Sequence, residues 1–411
     1  MAPCYHPKLM PLEEALSYLI NQLPVHAPCG LLSVEESQGH YLSEAVLAKT
    51  PIPEFANSAM DGYAFAFNTS SPQQTFLVTH KILAGDTQPH HINPGECAQI
   101  MTGAPMPEGA DTVVMQENTQ PDGDNIHIVK MPKQGANVRQ PGDAITQGQQ
   151  ITSKGERITS AHIGLFASMG ITHLPCFKPL TIGLFSTGDE LKQPGTSLSF
   201  GQIYDSNRAM LKAMLKQLPV RIIDYGIISD DLNTIINTLN QANNECDAII
   251  TSAGVSVGVA DFIKTALETL GKIEFWKVAI KPGKPFAFGK LKDSFFFGLP
   301  GNPVSAAITF LKLALPALAK MGGGQMPITQ TWPAIATEDF HKKPGRIDFQ
   351  RAIAHIDSDG QWKVRPTGKQ GSATLASITS ANCFAVLEQE RGAVHAGEMI
   401  QIELMPDIIR N

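Results

Sequence analysis

The sequence predicts a multidomain α/β plus β protein: a doubly wound parallel-sheet domain, a discontinuous helical linker domain with a β-rich insertion, and a C-terminal β-barrel. Three observations predict this class. The chain has 411 residues, enough for two to four domains of roughly 150 residues. Its middle alternates short apolar runs with amphipathic segments, which is typical of strands joined by crossover helices. Both flanks carry short β-type runs separated by Gly- and Pro-rich turns.

The N-terminal region predicts helical pieces around a β-rich insertion. Apolar residues recur at helical spacing from Leu12 to Ile20. Short β-type runs then occupy residues 76–82, 98–101, 112–115 and 126–129, and a helical pattern returns at 158–169. We therefore predict a helical domain formed by residues 1–50 and 141–178, which encloses a β-rich domain at 51–140.

The middle region predicts a doubly wound domain over residues 179–325. Asn302 and Pro303 are expected to cap and begin its last helix. Predicted strands are 181–185, 222–228, 248–251, 273–280 and 295–299, and predicted helices are 207–218, 232–239 and 262–270.

The C-terminal region predicts a small β-barrel over residues 326–411. A run of three glycines at 322–324 separates it from the middle domain. The expected barrel strands are 347–356, 362–364, 384–387 and 399–404.

Composition narrows the function. With 32 Lys plus Arg against 38 Asp plus Glu, the net charge of −6 argues against non-specific nucleic-acid binding. The six cysteines lie far apart without a C-x-x-C pair, which argues against zinc, iron–sulfur and disulfide frameworks. We expect neither a signal peptide nor a membrane span, because the apolar stretch 306–321 is interrupted by Lys312, Pro316 and Lys320. A cytoplasmic protein is expected.

Polar residues follow each predicted strand of the middle domain. Because ligands of open α/β sheets bind beyond the carboxyl ends of the strands, these residues are expected to converge. The P-loop and G-x-G-x-x-G patterns are absent, so neither an ordinary NTPase nor a nicotinamide enzyme is indicated. The converging residues are Ser186, Thr187, Glu190, Asp230, Ser252, Asp261, Lys277, Lys281, Lys284, Pro300, Asn302 and Pro303.

This mixture favours a phosphorylated substrate with a divalent metal. Lysines neutralise phosphate oxygens, while Glu190 and Asp261 offer the hard oxygen ligands that Mg²⁺ prefers. Structural roles without a function remain open for some of these residues. Asp230 or Asp231 could only complement a helix dipole, and Lys284 taken alone could be a solvated surface charge.

Two stretches of the β-rich insertion carry further candidates. Residues 53–64 place Asp61 in a loop of small residues, and residues 101–107 place Thr102 in a stiff turn. Asp61 could alternatively serve only as a turn former before Gly62.

Taken together, the chain resembles the molybdopterin molybdenumtransferases over essentially its whole length. One departure is Ala253, where the family usually has glycine; negative φ or a displaced loop is expected there. The resemblance rests on residues 57–64, 101–105, 186–191, 204–207, 281–285 and 298–305.

The resemblance implies insertion of molybdate into adenylylated molybdopterin with release of AMP, aided by Mg²⁺. It also implies a homodimer in which Asp61 and Thr102 act across the interface. Asp230, Lys277 and Lys281 join these two as implied catalytic residues. Implied substrate-binding residues are Ser186, Thr187, Ser252, Lys284, Pro300, Asn302, Pro303, Arg351 and Ser372, and implied metal ligands are Glu190 and Asp261.

Further partners implied by the resemblance are an upstream adenylyltransferase and downstream molybdoenzyme chaperones. Two other functions stay open. The middle domain resembles molybdopterin adenylyltransferases, and the same architecture occurs in gephyrin, where it forms a dimeric scaffold. The cluster of acids and lysines favours catalysis over a scaffold.

Overall fold

The computed structural model describes residues 9–68, 74–253, 262–325 and 329–406. The chain forms two compact units. The larger unit contains Met1–Glu44, Lys154–Ile163 and His173–Asn411, and the smaller one contains Ala45–Ser153 and Gly164–Thr172. The four predicted domain boundaries stay predictions.

The larger unit is built around a six-stranded sheet. Four parallel strands confirm the doubly wound domain, and two antiparallel strands extend it at one edge. The spatial order is Val220–Ile228, Leu180–Thr187, Ala248–Ser252, Phe295–Leu299, Pro285–Lys290 and Lys272–Lys277. The strand Pro285–Lys290 is one that periodicity did not reveal.

Helices cover both faces of this sheet. On one face, Ile250 shares a core with Leu211 of the helix Ser206–Leu215. On the other, Ile249 packs with the helices Leu232–Glu245 and Phe262–Leu270. Adjacent strand residues point to opposite faces, so the apolar runs on both faces confirm the predicted crossovers.

The helix that follows the last parallel strand is a continuous buried rod. Pro303–Thr309 passes through a π-helical turn, Phe310–Ala314, into Leu315–Met321. Pro303 occupies the first turn as predicted, but the Asn302 side chain makes no capping hydrogen bond. The span Pro303–Met321 is long and apolar enough to cross a membrane, yet most of it is buried inside the protein, as in a core helix.

The C-terminal region is the expected barrel. Five strands close on one another, and the short segment Ile280–Lys281 adds to one of them, so the predicted strand 273–280 is two separate pieces. The barrel strands are Trp332–Ala336, Ile347–Ile356, Trp362–Pro366, Cys383–Leu387 and Met399–Leu404, with a short helix at Ala376–Thr379.

The remaining elements of the larger unit surround the sheet. The helix Leu12–Gln22 buries Ala15 and Leu19 in the main core. Two short ladders and one 3₁₀ turn complete it: Cys29–Ser33 with His173–Phe177, Leu191–Lys192 with Ile203–Tyr204, and Glu35–Ser37.

The smaller unit is β-rich, as predicted for the insertion. It holds a six-stranded sheet with separate apolar clusters, one of which contains Phe65 and Phe76 and the other Ile82 and Ile100. The sheet order is Thr112–Met115, Gly62–Phe65, Glu96–Ile100, Thr75–Ile82, Asn125–Ile128 and Thr119–Asp122. Shorter elements are Val46–Leu47 with Gln150–Thr152, Asn57–Ser58 with Val138–Arg139, the turn Gln116–Asn118, and the helix Ser160–Ser168, which runs through both units' ranges.

Candidate functional site

A cavity of about 680 Å³ lies at the carboxyl ends of the parallel strands in the larger unit. Loops that follow three of these strands bring their polar residues to it, as the position rule for open sheets predicts. Predicted residues that line the cavity are Glu190, Ser252, Lys281, Lys284, Pro300, Asn302, Pro303 and Ser372.

Lys281 and Lys284 reach the cavity through the turn that precedes the antiparallel strand Pro285–Lys290. Gly283 between them has φ +118°, and a Cβ there would lie 2.4 Å from Thr309 Oγ1. Only glycine fits this close approach to the buried helix. The turn therefore presents its two lysines from a tightly packed backbone.

The cationic side of the cavity combines the sheet and the barrel. Lys281 Nζ donates to Asp348 Oδ2 at 2.9 Å, and Asp348 is only 1% exposed. Lys284 is exposed, and Arg346 from the barrel lines the same wall. These three cations can stabilise oxyanions, because charges in a preorganised cleft act more strongly than in bulk water.

Three acidic residues, Asp189, Glu190 and Asp230, are neighbours, and of these Glu190 lines the cavity. The backbone N–H of Asp230 donates to Asp189 Oδ1 at 3.2 Å. Partial burial and the neighbouring Asp189 and Glu190 carboxylates raise the pKa of Asp230. Such like-charge repulsion is relieved by a bound cation. Asp231, in contrast, caps the next helix by accepting the Thr234 N–H at 2.8 Å. Its position at the helix start therefore agrees with the structural role at a helix dipole.

These acids fit Mg²⁺ as partial ligands. Within the described part of the chain, no three His, Cys, Asp or Glu side chains form a group that could hold a metal ion. Mg²⁺ commonly takes one or two carboxylates and completes its shell with substrate phosphates and water. Glu190 satisfies that requirement, whereas Asp261 lies outside the described residues.

Three predicted residues lie behind the cavity wall. Ser186 Oγ and Ser252 Oγ are 3.3 Å apart, and both Ser186 and Thr187 are buried. Arg351 is 1% exposed, and its guanidinium donates to Ser377 Oγ and the Gly371 carbonyl. Burial lowers the pKa of Arg351 to about 10, so it stays charged at neutral pH. The contacts of Arg351 hold the loop that carries Ser372.

Lys277 ends the edge strand Lys272–Lys277 opposite Pro285, a cavity residue. Its carbonyl accepts the backbone N–H of Met10 at 2.9 Å. Lys277 therefore lies beside the cavity without lining it.

Asp61 and Thr102 lie in the smaller unit and contact each other. Asp61 Oδ1 accepts the Thr102 backbone N–H at 2.7 Å and the Thr102 hydroxyl at 2.8 Å. These two bonds lower the pKa of Asp61, with the backbone donor the stronger cause. Their roles stay predictions.

Ala253 corrects one expectation. Its φ is +83°, so the residue adopts the left-handed conformation that we expected it to avoid. The backbone N–H of Ala253 donates to the Leu299 carbonyl at 3.1 Å, and its Cβ would be 3.6 Å from a Cβ built on Gly301. Alanine therefore occupies a left-handed backbone conformation that glycine adopts without strain.

The cavity residues that sequence reasoning did not assign include Asp205, Asn207, Arg346 and Gln370. Asn207 Nδ2 donates to the Gly301 carbonyl at 2.6 Å, while its buried Oδ1 has no partner among the described residues. Asp205 and Asn207 belong to the 204–207 motif that supports the family resemblance, so the sequence did carry a signal for these two residues. Arg346 and Gln370 lie in barrel loops that carry no comparable pattern.

Three family models match the chain in succession. They are described as "MoeA N-terminal region (domain I and II)" over residues 10–170, "Probable molybdopterin binding domain" over 183–320, and "MoeA C-terminal region (domain IV)" over 333–405.

Relatives match over nearly the whole chain. A molybdopterin molybdenumtransferase from Haemophilus influenzae is 41% identical across 96% of this chain and 98% of its own length. A gephyrin from Dictyostelium discoideum is 31% identical across 97% of this chain and 63% of its own. Among solved structures, the molybdopterin biosynthesis moeA protein from Pyrococcus horikoshii OT3 aligns with a TM-score of 0.83 at 26% identity, covering 97% of this chain and 100% of that one.

Proposed function

The chain belongs to the molybdopterin molybdenumtransferase family, and from this we propose that it inserts molybdate into adenylylated molybdopterin and releases AMP. The observation that carries the proposal is the cavity at the sheet edge, which Lys281, Lys284 and Arg346 line together with the Glu190 carboxylate. An oxoanion and a phosphoanhydride both require cations, and a metal-assisted phosphate site requires carboxylates. The dithiolene thiols of the pterin would bind molybdenum while molybdate loses an oxygen as water, and attack of another water on the phosphoanhydride bond would release AMP.

We assign oxyanion binding to the cationic wall. Lys281, Lys284 and Arg346 would hold molybdate or phosphate oxygens, with Ser372 adding a hydroxyl donor. Lys277 would act beside them at the end of its strand. Guanidinium and ammonium groups held by the fold stabilise developing charge without reorganising during the reaction.

The remaining wall would seat the nucleotide and the pterin. Ser252, Pro300, Asn302 and Pro303 line it directly. Ser186 and Thr187 would shape this wall from behind, and Arg351 would hold the loop of Ser372.

Glu190, with Asp261, would hold Mg²⁺ in this site. When bound, that cation would neutralise charge on the phosphates and favour AMP as a leaving group. Asp230 would be a further catalytic residue beside Asp189 and Glu190, as the family resemblance implies.

We further propose a cytoplasmic homodimer in which Asp61 and Thr102 act in the partner copy's site. The hydrogen bonds that the Thr102 backbone N–H and hydroxyl donate to Asp61 Oδ1 orient the Asp61 carboxylate, as an active-site acid would need. An upstream adenylyltransferase would deliver the substrate, and molybdoenzyme chaperones would accept the product.

The test combines purified protein, Mg²⁺, molybdate and adenylylated molybdopterin. We expect AMP release by chromatography together with reconstitution of a molybdenum-free acceptor enzyme. Lys281→Ala should reduce turnover by about 10² to 10³ if the ammonium stabilises the transition state. Lys292→Ala is the matched control, because Lys292 is exposed in the turn at the opposite edge of the sheet. Absence of both AMP and active acceptor would refute the proposal, and product from ATP plus unadenylylated molybdopterin would indicate an adenylyltransferase.

A further inference from the structure

We propose that Asp348 is a positioning residue for Lys281, through which the C-terminal barrel sets both the orientation and the effective charge of the cavity. The proposal rests on the proposed function for its ligand, molybdate. The family resemblance implies no role for Asp348, and the Asp348 carboxylate does not line the cavity.

The pairing of two backbone segments brings Asp348 to Lys281. The short segment Ile280–Lys281 runs parallel to the start of the barrel strand Ile347–Ile356, with Lys281 in register with Asp348. Their side chains form an ion pair of 2.9 Å, in which the lysine side chain is 40% exposed and the aspartate is buried. One end of the pair is therefore fixed in the protein while the other faces the cavity.

The Asp348 carboxylate is itself held from behind. Gln350 Nε2 donates to Asp348 Oδ2 at 3.0 Å and to the His341 carbonyl at 2.9 Å. Gln350 is 2% exposed. A carboxylate with this support restricts the positions open to the ammonium that it binds, since second-layer hydrogen bonds orient a functional group.

Asp348 also counters a concentration of positive charge. A second cavity of about 500 Å³ shares Lys281 and Arg346 with the first, and its other lining residues include His341, Lys342 and Lys343. Lys342 is 8% exposed and donates to the Gln389 and Arg391 carbonyls at 3.1 and 2.6 Å. Burial lowers the pKa of Lys342, and Asp348 opposes this shift while Lys281 adds to it.

Two consequences follow from this arrangement. The carboxylate competes with an incoming oxoanion for the Lys281 charge, so it weakens ground-state binding. It also holds the ammonium where the reaction needs it, and misplacement of a reacting or stabilising group by about 1 Å can cost 10²-fold in rate. Removing the carboxylate should therefore tighten molybdate binding and slow turnover at once, a split that simple loss of folding does not produce.

The experiment compares Asp348→Asn, Lys281→Met and the double variant in the full-length protein. Calorimetry with molybdate gives Kd, and AMP release gives kcat and KM. For Asp348→Asn we expect Kd and KM for molybdate to fall by about 3- to 10-fold and kcat to fall by about 10- to 100-fold. In the Lys281→Met background, Asp348→Asn should leave kcat within about twofold and should tighten molybdate binding less than it does when Lys281 is present, because only the effect on the other cations remains.

Further variants separate position from charge. Gln350→Met leaves the Asp348 carboxylate in place but removes the hydrogen bond that orients it. We therefore expect kcat to fall by several fold without tighter molybdate binding. Asp348→Glu should restore part of kcat. Asp359→Asn, an exposed aspartate on the same barrel, is the matched control.

The proposal is overturned if Asp348→Asn changes Kd and kcat equally with and without Lys281. It is also overturned if Asp348→Asn binds molybdate more weakly than the wild-type protein, or if the wild-type protein does not bind molybdate. If the wild-type protein binds molybdate but releases no AMP, the proposed function fails, whereas the Kd cycle still decides the role of Asp348.

Discussion

A buried ion pair joins the doubly wound domain to the barrel and permits a quantitative prediction. Lys312 lies in the π-helical turn Phe310–Ala314, and Glu403 lies on the last barrel strand, with side chains only 10% and 11% exposed. Lys312 Nζ bonds both carboxylate oxygens and lies 4.7 Å from the centre of the Phe349 ring. Burial lowers the pKa of Lys312, and Glu403 offsets only part of that effect.

Removing one partner of this ion pair should lower the free energy of unfolding substantially. Glu403→Gln leaves an ammonium in the core without its counter-charge, which typically costs 3–5 kcal/mol. Deprotonation sets the upper limit: a lysine with an ordinary pKa near 10.4 loses its proton at pH 7 for about 4.6 kcal/mol. We therefore expect the free energy of unfolding of the larger unit to fall by about 3–4.5 kcal/mol.

The pH dependence of this variant follows from the same shift. Because the folded pKa of Lys312 lies below its unfolded value, the unfolded state binds more protons between the two values. Stability should therefore rise as pH increases through that window. The loss in Glu403→Gln should be smaller at pH 9 than at pH 7.

Lys312→Met with Glu403→Met provides the matched comparison. With both charges replaced by apolar side chains, the unfolding free energy should lie within about 1 kcal/mol of the wild-type value or above it. Urea unfolding followed by tryptophan fluorescence measures this, because Trp276, Trp332 and Trp362 all belong to the larger unit. A loss below about 1 kcal/mol in Glu403→Gln, or a double variant less stable than Glu403→Gln, would refute the reasoning.

Three further predictions concern backbone constraints and one carboxylate. Gly62→Ala should destabilise the smaller unit by about 3 kcal/mol in a denaturation experiment, because its Cβ would lie 1.9 Å from the Val114 carbonyl oxygen; an unchanged melting temperature contradicts this. Ala253→Val should cost about 1–3 kcal/mol at φ +83°, whereas Ala253→Gly should be neutral or stabilising, and the reverse order would contradict the assigned conformation. Thr102→Ala should raise the pKa of Asp61 only part of the way to its ordinary value, since the backbone donor remains; NMR titration measures it, and no upward shift would contradict the assigned bond.

Much of the site could be predicted from local pattern. Apolar strands followed by polar loops in a parallel arrangement place those loops at one edge, which is why Glu190, Ser252, Lys281 and Asn302 were expected together and line one cavity. Asp205 caps the helix Ser206–Leu215 by accepting the Arg208 N–H at 3.1 Å, and this role was also predictable in principle, because Asp before an amphipathic helix is a common helix start.

Other features had no local signal. The strand Pro285–Lys290 follows a turn rich in proline and lysine, and its antiparallel pairing depends on neighbours on both sides. Arg351 is a buried residue that supports a loop instead of contacting the cavity, a distinction that residue type alone does not make.

The order of strands and helices, and the edge of the sheet where chemistry collects, were determined by the sequence, because periodicity and turn residues act between near neighbours. The tertiary structure alone decided which charges meet. Lys281 pairs with Asp348, 67 positions away, and Lys312 pairs with Glu403, 91 positions away. Such pairs form only where the barrel packs against the middle domain, and burial there determines how much each charge contributes to stability.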